Sequence, residues 1–169
     1  MTSSDAATPP GGAPSGTPVG MGEIAVARDG GVFRTVLGSC VGLVLHDRRR
    51  RIGGLAHVVL PDSHGRGQPA GKYADTAVPE MLRQLRALAD SEPLRLTARL
   101  AGGAKMLPFQ MGPTIGDHNV QAIERLLAAE GIVIVARCCG GERGRRMRLD
   151  VASGSVTIET VGGEERVIL

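Results

Sequence analysis

Residues 36–60 read VLGSCVGLVLHDRRRRIGGLAHVVL. Two apolar runs, Val41–His46 and Ile52–Leu60, flank a charged turn at Asp47–Arg51, and Pro61-Asp62 stops the second run. Each run reads as a largely buried strand. Paired as a hairpin about that turn, residues whose numbers sum to about 98 lie opposite one another. His57 then faces residue 41, the neighbour of Cys40.

That register gives Cys40 a chemical setting. A free cysteine is commonly a small buried hydrophobe, and packing is the default role of a lone cysteine or a lone core histidine. Here Gly38 and Ser39 form a tight loop that delivers the cysteine at a strand start, and backbone amides in such a loop converge as oxyanion donors. A thiol with an ordinary pKa of about 8.5 needs a base or a nearby imidazolium to become a nucleophile. Cys40 and His57 are the minimum set for a nucleophile and a proton shuttle. Thr35, upstream on the preceding strand, is a candidate to orient the histidine through its hydroxyl; its alternative role is that of an ordinary strand threonine. Ser39 is the rival, although a hydroxyl in that position also serves the turn.

Working outward, Glu23–Arg28 and Val32–Val36 read as strands joined by Asp29-Gly30-Gly31, a hairpin signal. Residues 62–74 are polar and Gly-rich, a loop. Val78, Met81, Leu82, Leu85 and Leu88 recur on one helical face, with Thr76 as cap and Pro79 in the first turn. Leu94–Leu100 alternates as a half-exposed strand. A second helix covers Asn119–Glu130, with Val120, Ile123 and Leu127 inward and Gly131 as its stop. Ile132–Ala136 reads as a buried strand, and Arg146–Asp150 with Ser155–Thr160 as a hairpin about Ser153-Gly154. The expected architecture is α+β: a layered sandwich of mixed and antiparallel sheet carrying two main helices.

Residues 1–20 hold four Pro and four Gly among Ser, Thr and Ala. That composition predicts a disordered tail, with a single folded domain over residues 21–169. The chain has 169 residues, enough for one sizeable core. Its net charge of +3 says little about partners. Tyr73, Phe33 and Phe109 are the whole aromatic set, so base-stacking surfaces for nucleic acid are scarce. Three cysteines, two of them adjacent, are no disulfide framework, and Cys138 and Cys139 lack metal-ligand spacing. No signal peptide is evident and no apolar run spans a bilayer, which points to a cytoplasmic setting. Gly102-Gly103 lacks a phosphate-loop lysine, and no cofactor or metal is expected. His46 and His64 read as exposed loop residues. Tyr73 is a candidate substrate contact, on the reading of residues 72–77 as a groove wall.

LGSCVGLVLHD, IGGLAHVVLPDS, GKYADTAV, AGGAKM, IGDHN and GGERGR, in that order, resemble the CheD family of bacterial chemoreceptor glutamine deamidases over about Met21 to Gly163. The resemblance implies a Cys-His-Thr triad. Its cysteine falls on Cys40, its histidine on His57 and its threonine just upstream of the turn, where this chain has Thr35. Thr35 stands five residues before Cys40; the family's threonine stands six before, where this chain has Arg34. The resemblance further implies thioester-mediated hydrolysis of receptor glutamine side chains, with chemoreceptor cytoplasmic helices as substrate and a CheC-type phosphatase as regulatory partner. A second reading keeps the fold as a chemotaxis binding module of weak activity that docks receptors and the phosphatase. A third, a basic nucleic-acid-binding domain, is opposed by the missing aromatics.

Overall fold

The computed structural model describes residues 15–163 and 166–169. In chain order the strands are β1 (Thr17–Pro18), β2 (Ile24–Arg28), β3 (Val32–Leu37), β4 (Val41–Asp47), β5 (Ile52–Val58), β6 (Thr97–Gly102), β7 (Val133–Cys139), β8 (Arg145–Asp150), β9 (Val156–Thr160) and β10 (Arg166–Ile168). Helix α1 (Ala74–Leu88) lies between β5 and β6, and α2 (Ile115–Ala129) between β6 and β7. The strands form two five-stranded sheets, ordered β2-β5-β4-β6-β7 and β1-β3-β8-β9-β10. The α+β layered sandwich expected from the sequence is the one observed.

The order of the layers follows from side-chain alternation in the central hairpin. Val41, Leu43, Leu45, Ile52, Ala56 and Val58 join one apolar cluster with Ala77, Val78, Met81, Leu82 and Leu85 of α1 and Ile123 and Leu127 of α2. Val44 and Leu55, on the opposite face, join Phe33, Leu37, Met147, Leu149, Val156 and Ile158 of the other sheet. The first sheet is therefore the middle layer, with helices on one face and the second sheet on the other. Both its faces are dry, which explains why β4 and β5 read as continuous apolar runs rather than alternating ones. Each fully buried leucine in them contributes about 1.5–3 kcal/mol relative to exposure.

The register of that hairpin differs from expectation by one residue. Val41 pairs with Val58 and Asp47 with Ile52, so His57 faces Gly42 rather than residue 41. Asp47 is the reason, since it finishes the strand instead of opening the turn. Its carboxylate accepts from the Arg50 amide at 3.0 Å and the Arg95 amide at 2.7 Å. The slip matters because a shift of one flips a side chain to the other face. Opposite Gly42, His57 projects into the layer between the sheets; opposite Val41 it would project toward the helices.

Other boundaries also move. Asp29–Gly31 does not close a hairpin: β2 pairs with β5 and β3 with β8, so this turn carries the chain from one sheet to the other. Helix α1 begins at Ala74, leaving Pro79 inside it. Thr76 does not cap the helix; its hydroxyl donates to the carbonyls of Ala70 and Tyr73. Helix α2 starts four residues early because Thr114 and Asp117 form a reciprocal capping box. β7 is an edge strand paired in parallel with β6, and Val133 and Val135 are exposed rather than buried. Of the tail expected over residues 1–20, residues 1–14 lie outside the described residues. Within the remainder, Thr17–Pro18 pairs in parallel with β3 and Val19 is buried, so ordered structure precedes Met21.

Gly42 has no room for a side chain. A Cβ there would lie 2.5 Å from Met147 Sδ and 2.9 Å from Leu37 Cδ1. Gly42→Ala is expected to destabilise the fold by about 1–3 kcal/mol through overpacking between the sheets, read as a lowered denaturant midpoint at unchanged m-value.

Candidate active site

Cys40 sits in the bend after β3, where the chain leaves one sheet to enter the other, and it is half-buried. The bend is held from three sides. Gly103 N donates to Cys40 O at 2.9 Å and Ala104 N to Gly38 O at 2.9 Å. Asn119 Nδ2 reaches from α2 to Ser39 O at 3.2 Å and Val59 O at 2.9 Å. Gly102 lets the end of β6 approach: its φ is +104°, and a Cβ there would stand 2.2 Å from Cys40 O. Among the described residues, the amides of Ser39 and Cys40 donate to no backbone acceptor, and the Cys40 amide lies within reach of its own sulfur.

His57 lies on β5, on the same face of the middle sheet as Gly42, and is buried. Its backbone is pinned on both sides, donating to Glu23 O and accepting from Gly22 N. Across the interlayer, Thr35 Oγ1 lies 2.8 Å from His57 Nδ1 and 2.6 Å from Val19 O. These two distances assign the protons. A carbonyl only accepts, so the Thr35 hydroxyl donates to Val19 and must accept from Nδ1–H. The neutral imidazole then carries its lone pair on Nε2, the tautomer a general base requires. Nε2 is buried and has no hydrogen-bond partner, so no bond joins it to the Cys40 thiol in this structure. Thr35 faces inward despite standing five residues before Cys40, while Arg34 faces outward and donates to Gly16 O.

Burial drives the two titratable groups apart. It pushes the Cys40 thiol up, against the opposing pull of its own amide. It pushes His57 below the ordinary imidazole value, against the Val19 carbonyl and the Glu23 carboxylate. The pair therefore rests as neutral thiol and neutral imidazole rather than as a thiolate–imidazolium pair.

Tyr73 is not a surface contact. It is 4% exposed, precedes α1 and bridges to Leu60, so its ring is structural. His46 is likewise buried, not a loop residue, and its Nε2 lies 2.8 Å from Val151 O. His64 is exposed as expected. Cys139 packs against the helix-side core, where burial raises its thiol to about 11.

Sequence reasoning missed three features. Asn119 is fully buried, and its signal was a polar residue on the inward face of an otherwise apolar helix stripe. Val19 supplies the carbonyl that fixes the Thr35 hydroxyl, from a segment whose composition predicts disorder. The third is the segment after Ala104. Met106 lies against Gly38, and Leu107, Phe109 and Met111 are 66%, 95% and 96% exposed. These exposed apolar residues follow Met106 directly in the chain.

A thiol one strand away from an imidazole, with that imidazole held in its base form by a hydroxyl, is the equipment of cysteine-dependent acyl transfer. Comparison with known proteins establishes the family. The family model for CheD chemotactic sensory transduction matches residues 59–160. A probable chemoreceptor glutamine deamidase CheD of Desulforamulus reducens is 43% identical over 157 residues, covering 89% of this chain and 93% of the relative. The chemoreceptor glutamine deamidase CheD of Thermotoga maritima is 39% identical over 150 residues, covering 88% and 94%. A probable counterpart from Thermococcus kodakarensis is 43% identical over 149 residues. The chain belongs to the CheD family. Among the described residues, no helix is long and apolar enough to cross a membrane.

The titration directions are open to measurement. Alkylation of Cys40 by iodoacetamide, followed by peptide mass spectrometry, is expected to accelerate through a midpoint above the ordinary thiol value of about 8.5. His57, read by imidazole NMR, is expected to stay neutral to a pH below about 6.5. A Cys40 midpoint well below 8.5 would establish an ion pair at rest instead.

Proposed function

We propose that this protein hydrolyses the side-chain amide of glutamine residues in the cytoplasmic helices of chemoreceptors, giving glutamate and ammonia, with Cys40 as nucleophile, His57 as acid–base and Thr35 as the group that orients it. The observation that carries the residue assignment is the Thr35–His57 bond, which leaves Nε2 unprotonated and on the Cys40 face of the sheet. The reaction itself rests on the family and on the names its relatives carry.

From a neutral pair the first step is general-base catalysis. As Sγ bonds to the amide carbon, its proton passes to His57 Nε2. The carbonyl becomes an oxyanion that the Ser39 and Cys40 amides receive, with Gly38 giving the turn its shape. Imidazolium then returns the proton to the departing nitrogen, the C–N bond breaks, ammonia leaves and a thioester remains. Water attacks the thioester with His57 as base, the C–S bond breaks and the thiol recovers its proton. A glutamyl methyl ester forms the same thioester, so esterase activity is a natural companion. No metal or cofactor enters the scheme.

The apolar residues Leu107, Phe109 and Met111 beside the bend suit the apolar stripe of a receptor helix. A CheC-type phosphatase, as regulator, competes for the same surface. Residues 21–169 act as one deamidase domain, helped by the ordered segment at residues 17–19, and work in the cytoplasm where receptor helices are found.

Incubation with receptor cytoplasmic fragments, followed by mass spectrometry, tests the assignment. Glutamine-to-glutamate conversion is expected to vanish in Cys40→Ala. It is expected to fall by about 10²–10⁴-fold in His57→Ala. In Thr35→Val it falls less, because that variant frees the tautomer without removing the base. Conversion that survives Cys40→Ala would end the mechanism.

A further inference from the structure

At the opposite end of β4 from Cys40, the layer between the sheets opens into a cavity of about 440 Å³. Arg99, on β6, pairs with Val44 and therefore points into this interlayer, because cross-strand partners share a face and Val44 belongs to the inter-sheet cluster. The ladder with β7 is irregular at this residue: Ala98 pairs with Ile134 and Arg99 with Ala136, so Val135 is skipped. A bulge of this kind re-aims side chains and is a built feature of a strand pair.

Arg99 Nε and Nη1 are buried and have no hydrogen-bond partner. Arg99 is half-buried, and these two nitrogens are withdrawn from water without an acceptor, a costly arrangement for a guanidinium. Arg48 lines the same cavity and adds a second positive charge; burial and Arg48 together lower the Arg99 pKa. The Ser155 hydroxyl also lines the space, while that of Thr97 donates to His46 O at 3.4 Å; no Asp or Glu side chain lines it, and His46 and Leu169 complete part of the wall. The Ser153 hydroxyl accepts from the Ser155 amide at 3.2 Å and gives its own proton to the Asp150 carboxylate. Asp150, the nearest acid on this turn, is turned to the Ser153 amide at 3.1 Å.

We propose that this cavity is a binding site for a phosphate group, carried by inorganic phosphate or by a small phosphorylated metabolite. The unpartnered nitrogens of Arg99 on β6, the Arg48 guanidinium from the turn after β4 and the Ser155 hydroxyl offer more donors than the two oxygens of a carboxylate accept, and they suit the three oxygens of a phosphate dianion. The volume exceeds that of the bare ion, which leaves room for a small organic substituent. Nucleotide bases are disfavoured because no Phe, Tyr or Trp ring lines the site. The site does not depend on the proposed deamidation, since its residues and those of the bend are disjoint.

Thermal unfolding of the full chain in sodium phosphate, acetate or chloride at matched ionic strength tests the site. Phosphate is expected to raise the midpoint in step with the logarithm of its concentration above Kd, by about 3–5 °C at ten times its Kd. Glycerol 3-phosphate, as the organic arm, is expected to give the same increment at lower concentration than inorganic phosphate. Arg99→Met is expected to abolish the phosphate increment. Arg146→Met is expected to keep it, since that arginine lies in a separate groove on the outer face of the second sheet. Should Arg99→Met fail to fold, 31P NMR titration of the native protein and of Arg48→Met decides the matter, with at least tenfold weaker binding expected in the variant. Equal midpoints in phosphate and chloride, an acetate effect as large as that of phosphate, or an increment surviving Arg99→Met would overturn the proposal.

Discussion

The bond between Thr35 and His57 crosses the largely apolar layer between the two sheets near Cys40, and the candidate site depends on it. Thr35 on β3 and His57 on β5 belong to different sheets, so their bond fixes imidazole tautomer and sheet spacing together. The surrounding residues remove alternatives. Val19 takes the hydroxyl proton, Gly22 and Glu23 hold the histidine backbone, and burial keeps the ring uncharged. A base built this way is pre-organised by packing, because neither partner can rotate without stranding a buried polar atom.

The candidate nucleophile, Cys40, is positioned by different means. The bend at Gly38–Cys40 has no regular partner strand. It is tied to the end of β6 through Gly103 and Ala104, and to α2 through Asn119. The side-chain amide of Asn119 spans the Ser39 and Val59 carbonyls, joining the turn that carries the thiol to the strand that carries the imidazole. The helix layer, remote from any reacting atom, thereby takes part in setting the distance between the two groups. The capping box that starts α2 early also serves this end, because it gives the helix the extra turn on which Asn119 rides.

Much of this was legible in the chain. The apolar runs flanking the arginine turn announced the central hairpin, and their lack of alternation announced burial on both faces. Cys40, His57 and Thr35 could be singled out from residue type and adjacency, and the structure brings His57 and Thr35 into contact. What failed to show had physical causes. The register slipped because Asp47 was counted with the charged turn although its carboxylate closes the strand. Asp29–Gly31 looked like a hairpin because local turn chemistry does not say which sheet each flanking strand will join. Residues 17–19 looked unfit to order by composition, yet three residues laid along β3 need only one buried valine to hold. Tyr73 attracted attention as the lone tyrosine, and rarity in a sequence carries no information about exposure.

The protonated resting state of Cys40 has a further consequence. Peroxides attack thiolates far faster than thiols, and a sulfur whose ionisation is suppressed by its surroundings offers them little. Such a residue gains its nucleophilicity only while a base withdraws its proton in the presence of a bound carbonyl. While it stays protonated the sulfur is a poorer target for peroxides than a standing thiolate would be.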